Sequence, residues 1–397
     1  MFFLTGCVLL THCTQPVTDP ADIPIFKPVF SANQEEVRTF LAKAQGGANA
    51  KLVYVDRTKS IGELDFVDFS EAGPPKIKVV AAAKNPTVPV LSPDGKWVVY
   101  GVGTGCEAGS MVTNRCSVYL SELSENAKPV LIARDSACEP RFMQNTTKLT
   151  VIYSTLAPNY AWEGFGKAMK VEVDVAGALP LVGTPTILFG AGSYTAGLSW
   201  DGRYLGGGGG HVALLDIQGT KLRPDTITLG TQGCNASISS SRNATNTLMY
   251  LNTTGSHALV NGGKVWGEWE AILISNSLKQ LVKGYMFPAS PVIPLETVPP
   301  SFTKAKWHHS EWSNHPYFGV ATLNAERYFE SGGKFINTGF QERIYLINLK
   351  DSSYLEVLRP DKVAYSGREF GGFFWPWLWI QVPNGFVEDP AWLNAKP

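Results

Sequence analysis

From about residue 48 onward, apolar and polar positions alternate in short runs rich in Val, Ile, Tyr and Trp, separated by Gly, Asn, Asp and Pro. That period of two predicts strands. "VPVLSPDGKWVVYGVG" from Val88 reads as a strand, a Pro-Asp-Gly turn and a second strand, and "CSVYLSEL" and "KPVLIAR" follow as a third and a fourth. Four consecutive antiparallel strands of this kind make one propeller blade. The pattern returns as "EPRFMQNTTKLTVIYST" with "AMKVEVDV", as "GLSWDGRYLGGGG" with "HVALLDI", as "NASISSSRNATNTLMYLN" with "EAILISN", and as "SEWSNHPYFGVATL" with "RIYLINLK". The copies are spaced less evenly than in a regular array of about 40–45 residues per blade, so long loops must separate some strands. Residues 51–69 hold further strands. Together with the C-terminal "SSYLEVL" and "PWLWIQV", they are expected to complete a sixth blade by joining the two ends of the chain, which leaves no free sheet edge at the seam. The fold class is therefore all-β, a β-propeller of six blades within a range of five to seven, spanning 48–382.

One helix departs from this pattern. In "SANQEEVRTFLAKAQGG", Val37, Phe40, Leu41 and Ala44 recur at helical spacing, which predicts a helix over 34–45 with Ser31 and Gln34 as its capping box and Gly46 as its stop. Residues 14–47 thus read as a Pro-rich tether followed by this helix, and 383–397 as a C-terminal tail.

Composition sharpens the picture. The chain has 397 residues, 44% hydrophobic and 17% charged, with 34 basic residues against 34 acidic. That is enough apolar area for a core and excludes a largely disordered chain. A balanced charge removes the electrostatic basis for nucleic-acid binding. No apolar run approaches the roughly 20 residues of a membrane-spanning helix, and "FFWPWLWI" at 373–380 is too short and contains Pro376. At the start, "MFFLTGCVLLTHC" places Leu4-Thr5-Gly6 before Cys7, the spacing at which a bacterial lipoprotein signal is cut and the Cys lipidated. No basic residue precedes the apolar run, which a signal would normally have. Cys13 is a weaker alternative, and a buried strand over 1–13 is the structural one. The expected location is the bacterial cell envelope, as an outer-membrane lipoprotein or in the periplasm. That compartment permits disulfides. Cys106 and Cys116, at the two feet of one inter-strand loop, are the expected bridge, whereas Cys138 and Cys234 fall in non-neighbouring blades and are expected to stay unpaired.

The segments "LSPDGKWVVY" and "LSWDGRYLGG" resemble the blade motif of TolB-type and WD-repeat-like propellers. From Val118 to Ile380 the order "VYLSEL…ACEPRF…LTVIYST", "GCNASISSS", "HHSEWSNHPYFGVATL" and "RIYLINLKDSSYLEVL" resembles a Fibrobacter paralogous family of exported propeller proteins. The resemblance implies an exported propeller. That family carries no assigned activity, so no catalytic residue follows from it.

Aligning the repeats on Leu91, Phe142, Leu198, Ile238 and Trp312 points to residues at the start of each innermost strand. Three places upstream are Val88, Glu139, Thr195, Asn235 and His309; one place upstream are Val90, Arg141, Gly197, Ser237 and Glu311. Simple alternation puts both sets on one strand face, around the central channel. Glu139, Arg141, Asn235, His309 and Glu311 are the candidate ligand-binding residues. The alternative is structural: Arg141 paired with Glu139 or Glu311, and His309 hydrogen-bonded in the core. Three of the six His fall in "KWHHSEWSNHP" as His308, His309 and His315. Imidazole beside a carboxylate suits a transition metal or proton transfer. Strand alternation turns His308 and His309 to opposite faces, leaving one His with Glu311 as the metal-capable pair. No cofactor is required by any motif, and a divalent metal is the one addition this cluster allows.

Other motifs carry less. The glycine run at 206–210 lacks the Lys-Ser/Thr of a phosphate loop and reads as a tightly packed inner strand. The sequons at Asn145, Asn235, Asn243 and Asn252 read as turn residues. Trp375, Trp377, Trp379 and Trp392, with Phe373 and Phe374, are either a sugar-stacking cluster or blade-closing core. By elimination the sequence points to an envelope module that binds or scaffolds a protein or polysaccharide. The alternative is a metal-dependent polysaccharide lyase or another carbohydrate-active propeller enzyme.

Overall fold

The computed structural model describes residues 27–393 except 59–61, 82–84, 104–115, 157–164, 191–196, 210, 219–225, 229–232, 253–271, 277–280, 286–301, 332–333, 362–363 and 366–371; in parts of some strands only the backbone is described. A short strand β1 (Pro28–Phe30) and a helix α1 (Gln34–Ala42) lead into a ring of blades. Blade one takes β2 (Ala50–Asp56), β3 (Glu63–Asp68) and β4 (Ile77–Ala81). Blade two is β5 (Pro86–Leu91), β6 (Trp97–Val102), β7 (Ser117–Glu122) and β8 (Val130–Ala133). Blade three is β9 (Ala137–Phe142), β10 (Leu149–Leu156) and β11 (Phe165–Asp174), with β12 (Leu181–Val182) and β13 (Thr186–Phe189) both paired to β11. Blade four is β14 (Gly197–Leu198), β15 (Tyr204–Gly209), β16 (His211–Asp216) and β17 (Thr226–Thr228). Blade five is β18 (Gly233–Ile238), β19 (Thr247–Asn252), β20 (Ile272–Asn276) and β21 (Leu281–Tyr285). Blade six is β22 (Phe302–Trp312), β23 (Phe318–Ser331), β24 (Lys334–Asn348) and β25 (Tyr354–Pro360), with β26 (Ala364–Tyr365) added along β24. Finally β27 (Phe373–Ile380) returns to blade one and pairs antiparallel with β2, as its innermost strand.

The fold is thus the six-bladed propeller that the repeats predict, and its ends close the ring. Closure differs in one detail. "SSYLEVL" belongs to blade six as β25, where β1 covers its outer edge through Pro28–Pro360, Val29–Arg359 and Phe30–Leu358, so part of the expected tether is a strand. The glycine run is the second strand of blade four, between β14 and β16.

The recurring Ser-x-Asp-Gly turn has a local cause. Ser92 Oγ accepts from Trp97 N at 3.0 Å, and Ser199 Oγ accepts from Tyr204 N at 2.9 Å, so the hydroxyl closes the turn between the first two strands of blades two and four. Gly95 in the first of these has φ +67°, and a Cβ there would lie 2.6 Å from the Trp379 ring. The turn therefore docks on blade one with no room for a side chain.

The helix is capped by Asn33, whose side chain accepts from Glu36 N at 3.0 Å while Glu36 accepts from Asn33 N at 2.7 Å. This capping box replaces the predicted Ser31–Gln34 pair, because Ser31 instead bonds Glu356 across to β25. Val37, Phe40 and Leu41 are buried as their spacing predicts, with Phe40 against Phe318. Residues 383–393 fold back rather than trail: Trp392 is buried against Trp312 and Tyr317, and Glu388 binds Ser241 and the Arg242 amide.

His315 also lies against Tyr317. Tyr317 N donates to its Nδ1 at 3.3 Å, which makes that nitrogen an acceptor and the ring neutral, and Tyr317, Phe318 and Phe386 surround it. Burial lowers its pKa to about 4, with the Gln45 backbone opposing. Because the folded value lies below the ordinary 6.5, the unfolded chain binds the proton first. Stability should fall as pH drops from about 6.5 to about 4, by on the order of 3 kcal/mol. Urea denaturation across that range should show the loss in the native chain and a shallower slope in His315→Gln. Equal slopes would show that His315 does not set it.

Candidate functional site

The innermost strands share one irregularity. In blades one, two, three, five and six the register with the second strand slips by one residue, leaving an extra residue on the inner strand. At that bulge the backbone enters the left-handed region at Trp375, Val88, Glu139, Asn235 and His309, with φ between 44° and 53°. A left-handed bulge residue is ordinarily Gly. Here each site instead carries a side chain, the β-branched Val88 being the most adverse, at a cost of roughly 1–3 kcal/mol each. The four described members of the first aligned set are these residues. Thr195, the fifth, lies outside the described residues. Trp375 is the blade-one counterpart, which the repeat alignment missed because β27 comes last in the chain. The bulge adds a residue to the simple alternation used to place both sets on one face, yet Glu139 and Arg141 still line one cavity.

The second set forms a layer on the axis. Arg141 Nη2 donates to Glu311 Oε1 at 2.7 Å, with both side chains about 95% buried. Blades three and six oppose each other in a ring of six, so this ion pair spans the channel. The guanidinium also lies 5.4 Å from the centre of the Trp377 ring, and the Arg141 stem packs on Gly197, where a Cβ would stand 3.4 Å from Cγ. Burial raises the Glu311 carboxyl above its ordinary range, while Arg141 and the Ser237 hydroxyl oppose that shift. Asn235 Nδ2 donates to the Ser310 carbonyl at 2.9 Å, tying blade five to blade six. The cavity lined by Glu139, Arg141, Tyr153, Ser154 and Gly197 measures about 20 Å³, room for roughly one water. Four of the five candidate residues, Glu139, Arg141, Asn235 and Glu311, are thus buried.

His309, the fifth, stands at the rim and meets partners that the sequence pattern did not indicate. Its ring lies 5.1 Å from Trp375 and 5.4 Å from Phe374, and its Nδ1 is 3.3 Å from Thr322 Oγ1. The Thr322 hydroxyl donates its single proton to the His308 carbonyl at 3.1 Å, so His309 Nδ1 must be the donor and its Nε2 carries the lone pair. Burial holds His309 well below its ordinary pKa, helped by the charges of His308 and Arg57. His308 Nδ1 sits 2.9 Å from Glu342 Oε1. Glu342 is 1% exposed, and its carboxyl is raised by burial against the pull of His308 and Arg57. The ligand-capable atoms of His308, His309 and Glu342 all lie within 4.8 Å of one another. The expected opposition of the two His side chains fails because His309 is the bulge residue, and the carboxylate beside them is Glu342 of β24 rather than Glu311. Arg57 stacks over Phe374 and Trp375 at 4.8 and 4.9 Å.

Among the cysteines, Cys116 is disulfide-bonded and Cys138 is a buried free thiol. Cys7, Cys13, Cys106 and the Cys234 side chain lie outside the described residues, as does any lipidation site on Cys7. Phe373, Trp375, Trp377 and Trp392 are buried, and the Trp379 indole donates to the Pro93 carbonyl at 2.8 Å. These aromatics are closure and core packing. Among the described residues no helix is long and apolar enough to cross a membrane.

No protein-family model matches the chain, and no curated protein does. Among solved structures, a periplasmic gluconolactonase of Pseudomonas aeruginosa aligns with a TM-score of 0.45 at 10% identity, over 84% of this chain and 99% of that one. A functionally unknown protein from Desulfotomaculum acetoxidans aligns with a TM-score of 0.38 at 11% identity, over 79% and 84%. Such distant likenesses assign no activity, and the propeller architecture stands on the six sheets themselves.

Removing either partner of the axial pair strands a buried charge. Arg141→Ala or Glu311→Ala should therefore cost about 3–5 kcal/mol, and Arg141→Met with Glu311→Leu should recover most of it. Urea denaturation reads all three. A Glu311→Ala loss near 1 kcal/mol, ordinary for any truncation, would show that the pair does not hold the axis.

Proposed function

We propose that this chain is an exported recognition propeller that meets a protein partner on the face from which the innermost strands start. The observation that supports this most directly is the axial pair: Arg141 and Glu311 are bonded to each other across the ring, so among the described residues these charges are satisfied internally, which favours meeting a ligand at the rim. Blade six favours that rim. β22 starts seven residues before its bulge, whereas β5, β9, β18 and β27 start two residues before theirs, so among the described residues it extends past those four on this side. At about 3.3 Å per residue the extension is on the order of 15 Å, a wall beside the mouth. A protein partner is favoured over a glycan because, among the described residues, Phe373, Trp375, Trp377 and Trp392 of the C-terminal aromatic cluster are buried. The Cys116 disulfide agrees with export to the envelope, where Cys7 would supply a lipid anchor. A second reading, a metal-dependent carbohydrate-active enzyme, draws on His308, His309 and Glu342.

Photo-cross-linking in envelope extracts tests the first reading, with the probe placed at Lys306 on the projecting part of β22 or at the exposed Glu125 in blade two. A saturable protein adduct at Lys306 and none at Glu125 is expected. Equal labelling at both positions would defeat the proposal, as would turnover of an acidic polysaccharide by the purified chain.

A further inference from the structure

We infer that His308, His309 and Glu342 form a binding site for one divalent transition-metal ion of the zinc class. Three observations meet here. The ligand-capable atoms of all three residues lie within 4.8 Å of one another, close enough for a small adjustment to bring them around one ion. The hydrogen bonding leaves His309 Nε2 with its lone pair free, because Nδ1 keeps its proton and donates it in a hydrogen bond to Thr322 Oγ1. Glu342 Oε2 is buried without a hydrogen-bond partner while Oε1 is engaged by His308, an arrangement that is costly unless something completes it.

The donor set selects the ion. Two imidazoles and one carboxylate suit zinc and its neighbours in the first transition row, and are too nitrogen-rich for calcium or magnesium. Three protein ligands leave a coordination position open, as in catalytic rather than structural zinc sites. Thr322 fixes the tautomer of His309 as an outer-shell partner would. Arg57, spread over the faces of Phe374 and Trp375, stands beside the site.

The site does not depend on the partner-binding reading, since a metal-free chain could still form the Lys306 adduct. The full chain, stripped with a chelator and titrated with Zn²⁺ against a chromogenic competitor, is expected to take up one equivalent. His309→Asn keeps a residue tolerant of left-handed backbone and should weaken uptake at least tenfold, as should His308→Gln. Co²⁺ bound to the native chain should give visible bands of nitrogen and oxygen coordination without a thiolate charge-transfer band, a readout that needs no variant to fold. Failure of the native chain to take up Zn²⁺, uptake unchanged in the His308→Gln/His309→Asn double variant, or a thiolate signature with Co²⁺ would each overturn the assignment.

Discussion

Strands nearest the axis of a closed ring must bring their ends together without collision, and five of the six blades achieve this with one extra residue in the left-handed region. The bulge adds twist to the inner strand and resets which way the following side chains point. Non-glycine residues hold that conformation only because the surrounding structure forces it. Here the ladder resumes on both sides of each bulge, and the next blade packs against it. Everything distinctive near the channel follows from that repeated device. Past the bulge, Arg141, Ser237, Glu311 and Trp377 converge on the axis; at the bulge, His309 and Trp375 turn to the rim.

Ring closure supplies the second half of the site. The pairing of β27 with β2 seals the seam, and contacts from distant parts of the chain lock it: Asn314 bonds the backbone of Ile380 in both directions, at 2.8 and 2.7 Å, and Gly47 N donates to Gln381 O at 2.9 Å. A Cβ at Gly372 would stand 2.4 Å from that of Glu342, so only glycine lets β27 start against blade six. The same closure carries Phe374 and Trp375 between His309 and Arg57. Residues 57, 309, 342 and 375 become neighbours only when the ring is shut, so stability of the seam and integrity of the rim are one property.

The two ionic clusters differ in kind. At the axis, opposite charges are matched at hydrogen-bond distance and buried together, which specifies an arrangement more than it adds net stability. At the rim, a buried carboxylate, two imidazoles and a guanidinium share a space open on one side, with one carboxylate oxygen left over. Matched groups close a structure.

The blade repeats, the Asp-Gly turns, the N-terminal helix and the joining of the two chain ends were legible in the sequence, because strand period and turn residues are local properties that neighbours along the chain determine. The pairing of Arg141 with Glu311 was legible as one of two partners, since aligning the repeats puts equivalent residues on a common axis. Tertiary structure alone decided the rest. A bulge has no local signature when Val, Glu, Asn, His and Trp occupy its left-handed position instead of Gly, so His308 and His309 read as residues on opposite faces. Glu342 lies 33 residues from His309 along the chain and Arg57 more than 250, and no spacing rule connects them. Only the twist of blade six and the closure of the ring, both set by packing between distant strands, bring those groups to one edge.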